Sequence, residues 1–84
     1  MQYLIRFKPS AEKELEKLLE KDKKRIAVAV SGLKIDPFAG KKLEGEYKGY
    51  YSIRVWPYRI IYTINEVDQR VEVNSIVHRQ SAYQ

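Results

Sequence analysis

The sequence predicts an α+β domain: a small antiparallel β-sheet with an N-terminal αα-hairpin packed on one face, in the order β-α-α-β-β-β. Three observations carry this. A short run at the start alternates apolar and polar residues. The residues after it switch to helical spacing until an Asp36-Pro37 stop. Three runs rich in aromatic and β-branched residues then fill the C-terminal half.

YLIRF, Tyr3 to Phe7, puts Tyr3, Ile5 and Phe7 on one side and reads as a strand. Pro9 and Ser10 interrupt it, and the Ser10 hydroxyl is expected to cap the first helix by accepting from a free first-turn N–H. Ala11, Leu15, Leu18 and Leu19 follow helical spacing, with Glu and Lys between them. Asp22 is expected to cap a second helix whose apolar stripe is Ile26, Ala29, Val30 and Leu33. That helix ends before Pro37, because the residue preceding proline avoids the α region. Almost no linker separates the helices, hence the αα-hairpin. DPFAGKKLEGEYKG, Asp36 to Gly49, is broken by Gly40, Gly45 and Gly49 and reads as a loop with one short extended piece. YYSIRVW (Tyr50 to Trp56) and YRIIYTI (Tyr58 to Ile64) are strands, and the single Pro57 between them implies a tight hairpin. Asn65 to Gln69 is a polar turn, and RVEVNSIVH, Arg70 to His78, alternates as the last strand.

The 84 residues make one domain, 1–84, and 44% hydrophobic with 32% charged content fits a folded chain rather than a disordered one. With no cysteine and one histidine, a disulfide framework, a thiolate metal site and a histidine-based zinc site are not expected, nor is any cofactor. No apolar run approaches the roughly 20 residues that span a bilayer. MQYLIRFKPS carries no basic leader followed by an apolar segment, so the expected location is the cytoplasm. The net charge of +5 favours an acidic partner: nucleic acid, an acidic protein or an anionic surface.

Strand parity distributes the charges. Ser52, Arg54 and Trp56 share one face of their strand, and Ile53 and Val55 the other. Ile60, Tyr62 and Ile64 belong to the core, leaving Arg59, Ile61 and Thr63 opposite. In the last strand Val71, Val73 and Val77 suit the core, with Arg70, Glu72, Asn74, Ile76 and His78 on the open side. Arg54, Arg59 and His78 are therefore expected together on the face away from the helices. Simple parity would bury Arg79, which a guanidinium resists without a partner, so the strand is expected to end at His78 with Arg79 turned outward. Taken singly these residues have ordinary readings: exposed strand arginines, a structural histidine, and a Tyr83 lying on the core. Basic groups interleaved with aromatics also fit plain RNA binding.

The run KKLEGEYKGYYSIRVWPYRIIYTI, followed by VHRQSAY, resembles the RelE/ParE toxin superfamily of toxin–antitoxin systems, and the RelE branch most. The resemblance covers nearly the whole chain, including the β-α-α order and DPFAGKKL. It implies a ribosome-dependent endoribonuclease that cuts mRNA in the A site, with a RelB-like antitoxin, the ribosome and mRNA as partners. It implies site residues too. Arg54 matches a basic position before the hairpin, Arg59 the arginine after the hairpin tyrosine, Arg79 the arginine of the HR motif and Tyr83 the terminal aromatic at the scissile site. His78 matches a position where some members carry a functional histidine. Lys42 and Lys48 are added as phosphate contacts. Two positions depart from the pattern: Ser52 stands where relatives often carry a basic residue, and WPY replaces a glycine-containing hairpin.

Cleavage by the 2′-OH needs a base, cations on the phosphorane and an acid for the leaving 5′-oxygen. Arginine's planar fork suits the second role, here Arg59 and Arg79 with Arg54 in support. For the base two groups stand open. A free tyrosine titrates at about 10 and a free histidine at about 6.5, and neighbouring cations would lower the value of Tyr83. A ParE-like gyrase inhibitor and a non-catalytic RNA- or antitoxin-binding relative are the alternatives on the same scaffold.

Overall fold

Strand β1 (Leu4–Phe7) leads into helices α1 (Pro9–Glu16) and α2 (Glu20–Gly32), and then come β2 (Lys41–Lys42), β3 (Tyr50–Val55), β4 (Tyr58–Asn65) and β5 (Arg70–His78). Residues 2–79 are described in this computed structural model. The five strands form one sheet in the order β1-β5-β4-β3-β2. A wholly antiparallel sheet is corrected to a mixed one, because β1 runs parallel to β5. The αα-hairpin carries the chain across one face to the far edge, so β1 is left beside β5. The register Ile5↔Val71 and Phe7↔Val73 sets its apolar side in line with the core side of β5.

Both helices start earlier than side-chain capping predicts. Pro9 occupies the first turn of α1, where its missing N–H costs nothing, so Lys8 becomes the N-cap and Ser10 does not cap. Leu19 is the N-cap of α2, which places Asp22 in the first turn, where its carboxylate suits the helix dipole and pairs with Arg25 at 3.2 Å. Leu18 packs against the core, but Leu19 faces solvent. The helices bury Ala11, Ile26, Val30 and Leu33 against Val55, Ile60, Tyr62, Val71, Val73 and Ile76 of the sheet. Each fully buried Val, Leu or Ile contributes about 1.5–3 kcal/mol.

The last strand changes phase. Ile61 opposes Ser75 but Tyr62 opposes Val73, so Asn74 is an extra residue without a partner, a β-bulge. Beyond it the inner and outer sides of β5 exchange. Ile76, expected on the open side, is buried opposite Ile60, and Val77, expected in the core, opposes Arg59 on the outer side. Since β1 pairs only as far as Val73, no strand among the described residues covers the edge of β5 beyond the bulge on that side. Glu14 of α1 takes the place of one: its carboxylate accepts from the Ile76 N–H at 3.0 Å.

The glycine-broken loop is organised around one buried phenol. Tyr62 is fully buried, its hydroxyl donating to the Pro37 carbonyl at 2.8 Å and accepting from the Gly40 N–H at 3.1 Å. Asp36 closes the start of the loop by accepting from the Phe38 N–H at 3.2 Å. Tyr51 stacks on Tyr62 with centroids 5.6 Å apart, and Phe38 meets Tyr51 edge-on. Gly40 is required by closeness: a Cβ there would collide with the Tyr62 hydroxyl and lie 2.7 Å from the Ser52 carbonyl oxygen. This clasp delivers Lys41 and Lys42 to the sheet edge as the extended piece.

Burial raises the Tyr62 phenol above its ordinary value, opposed by the Gly40 N–H. Because the folded value lies above the unfolded one of about 10, the neutral phenol's contribution is complete below about pH 10 and is lost as pH rises through the folded value. Tyr62→Phe is expected to cost about 1–3 kcal/mol at neutral pH by stranding its buried backbone partners. It should also flatten the alkaline loss of stability relative to wild type. Gly40→Ala should cost about 1–3 kcal/mol by overpacking. Urea unfolding at neutral and alkaline pH measures all three.

Candidate nucleic-acid interface

The sheet face opposite the helices is patterned by register. Arg54 and Arg59 stand directly opposite each other across β3 and β4. Like charges in that position destabilise a strand pair. Two further strand arginines pair with carboxylates, Arg6 with Glu72 at 3.1 Å and Arg70 with Asp68 at 3.4 Å. Arg54, which is exposed, forms no ion pair among the described residues. Arg54 and Arg59 thus set two guanidinium groups side by side on this face.

One row along the same face, Ser52 opposes Ile61 on one side and Lys41 on the other. Ser52 holds the predicted face yet is buried, and its hydroxyl has no hydrogen-bond partner among the described residues. Lys42 opposes Tyr51, whose neighbour Tyr62 is a core residue, so Lys42 belongs to the helix side of the edge strand. The phosphate contact expected of Lys42 thus passes to Lys41, which reading of the sequence missed. Two adjacent lysines on a strand face opposite ways, and only the register decides which one meets the arginines. Lys48 is exposed in the loop before β3, at the end of the strand away from the hairpin, and is not brought beside the arginines.

At the hairpin end, β3 and β4 are joined through Trp56 and Pro57, with a cis peptide bond between them. β5 ends at His78, as expected, and Arg79 is exposed. The Arg79 N–H donates to the Pro57 carbonyl at 2.7 Å, and its guanidinium lies 4.9 Å from the centroid of the Trp56 ring. The bulge places Arg79 in phase with Val77, and so on the side of Arg59. Arg54, Arg59 and Arg79 therefore gather at one end of one face.

His78 does not join them. The phase change puts it opposite Tyr58 on the helix side, its ring edge-on at 5.5 Å. Tyr58 in turn approaches Asp22 through its hydroxyl at 3.5 Å, and Arg25, held by Asp22, donates to the Trp56 carbonyl at 2.7 Å. His78 is thus part of a seam that ties the hairpin to α2. Reading of the sequence gave Arg25 no role, and nothing local to it indicates one. Tyr83 lies outside the described residues. No helix among the described residues is long and apolar enough to cross a membrane.

Comparison with known proteins agrees with this fold. The family described as the ParE toxin of type II toxin–antitoxin systems, parDE, matches residues 5–83. The toxin–antitoxin complex RelBE2 from Mycobacterium tuberculosis contains a chain 32% identical, with 94% of this chain and 100% of that one covered and a TM-score of 0.77. The archaeal RelE–RelB complex from Pyrococcus horikoshii contains one 26% identical, with 98% and 100% covered and a TM-score of 0.83. The intact Escherichia coli RelBE complex shares the fold at 20% identity, covering 90% of this chain and 95% of that one, with a TM-score of 0.79. A comparison with curated proteins gives no match. Matched along nearly its full length, this chain belongs to the ParE toxin family, within the RelE/ParE superfamily, and is the toxin of a type II toxin–antitoxin system.

Proposed function

We propose that this toxin is an endoribonuclease that cleaves mRNA in the ribosomal A site, acts in the cytoplasm and is neutralised by a RelB-like antitoxin. The observation that carries the reading is the arginine cluster: Arg54 and Arg59 opposed across two strands, with Arg79 on the same face at the hairpin end. The relatives at 32% and 26% identity, both RelE–RelB assemblies, support the RelE branch and the class of antitoxin.

In the reaction the 2′-oxygen forms a bond to the adjacent phosphorus and the bond to the 5′-oxygen breaks, leaving a cyclic phosphate and a free 5′-hydroxyl. Charge builds on the two non-bridging oxygens in between. Arg59 and Arg79 are assigned to those oxygens, where bidentate, permanently charged groups act best. Arg54 and Lys41 hold flanking phosphates, with Lys48 a more distant contact. The 2′-OH proton passes to a base, for which Tyr83 is the proposed group, and the leaving 5′-oxygen takes a proton from solvent while Arg79 stabilises its charge. His78, across the sheet from the arginines, is given a positioning role through Tyr58 and the hairpin. A site short of an ideal acid–base pair gains most from a substrate already aligned by the ribosome.

Purified toxin should cut a message far faster in a stalled ribosome than naked, and should leave gyrase supercoiling unchanged. Equal cleavage of both RNAs would overturn the dependence on the ribosome, and loss of supercoiling with the message intact would select the ParE-like function. In single-turnover cleavage on programmed ribosomes, Arg79→Ala should lose about 10²–10³ in rate, the usual cost of one transition-state donor. Arg79→Lys should recover only part of that. Arg54→Gln should move two quantities in opposite directions. Relief of cross-strand repulsion should raise unfolding stability by about 0.2–1 kcal/mol, while cleavage falls.

A further inference from the structure

We propose that Trp56 is a stacking platform for an unpaired base, extending the arginine cluster into a surface for single-stranded RNA. The inference rests on the endoribonuclease reading above. Trp56 is the only tryptophan of the chain, and it is 54% exposed although the fold has an apolar core to receive it. Trp56 directly follows Val55, the last residue of β3, in the turn at the hairpin end where the Arg79 guanidinium reaches it. Its immediate neighbour is a cation: the Arg79 guanidinium, 4.9 Å from the ring centroid.

The backbone that carries the indole is also anchored. The Trp56 carbonyl accepts from Arg25 of α2 at 2.7 Å, the next carbonyl, of Pro57, accepts from the Arg79 N–H at 2.7 Å, and the turn is closed by the β3–β4 ladder. A ligand meeting this ring has little left to order, which favours binding. Aromatic faces set beside a cationic track are how single strands are held, since every base offers a π face while the cations follow the phosphates. The cations around Trp56 favour an anionic polymer over an apolar protein surface. A base stacked there would also orient the strand that crosses Arg59 and Arg79, so Trp56 would shape which codons are cut well.

A single tryptophan makes the test direct. The full-length toxin is titrated with a short 2′-O-methyl oligoribonucleotide, which 2′-OH attack cannot cleave, and indole emission is read alongside the anisotropy of a labelled copy. Saturable quenching that tracks the anisotropy is the expected result. Trp56→Leu should weaken binding roughly 5- to 150-fold, as loss of one stacked base does. Trp56→Phe, which keeps a ring, should weaken it less. The wild-type quenching needs no variant and so does not depend on how either substitution folds. Binding by anisotropy with unchanged emission and an unaffected Trp56→Leu would overturn the platform and leave the arginine cluster standing. Absence of any binding at low salt would overturn the RNA-binding reading itself.

Discussion

The extra residue at Asn74 is the constraint on which the site depends. A strand that alternated regularly through it would bury Val77 and turn Ile76 outward. The bulge reverses this. Ile76 enters the core opposite Ile60, His78 goes to the helix side, and Arg79 emerges on the face that holds Arg59. The strand is both an apolar wall and a carrier of a charged group, and one inserted residue lets it be both. The cost of the interruption is partly met from outside the sheet, where Glu14 accepts the Ile76 N–H that β1 is too short to reach.

A second clasp works at the other edge. The Tyr62 hydroxyl joins Pro37 to Gly40 and so fixes where the chain re-enters the sheet. From that point the register Lys41↔Ser52 follows, and with it a lysine one row from the arginines. Both devices use buried polar contacts to set register, and register decides which cations share a face. The arginines themselves oppose stability. Two of them face each other across strands, and the helix side supplies the packing that tolerates it.

Much of this was legible in the sequence. Element order, the two apolar helix stripes, the hairpin at Pro57 and the end of β5 at His78 all follow from spacing and from proline. So did the faces of Arg54 and Arg59, because β3 and β4 alternate without interruption. What escaped has physical causes. Nothing in NSIV marks Asn74 as a bulge, so the parity of Ile76, Val77 and His78 was inverted. The parallel partner of β1 is a tertiary choice without a local signal. Ser10 and Asp22 are good capping residues, but Pro9 and the short link after Glu16 start both helices before them. Lys41 and Lys42 differ only in register with β3, set by a loop whose anchor lies in β4. The roles of Arg59 and Arg79 came from resemblance; their meeting on one face is the structural contribution.

The central claim is that nucleic acid lies on the outer face of β3 and β4. Chemical-shift mapping of the isotope-labelled toxin with a non-cleavable single-stranded RNA tests it most directly. The largest changes should fall on the side-chain resonances of Arg54, Arg59, Arg79 and Lys41. Asp22, Glu14 and Arg25, on the helix side, should stay in place. Changes centred on α1, α2 or the edge of β1, with the outer-face arginines unmoved, would contradict the account.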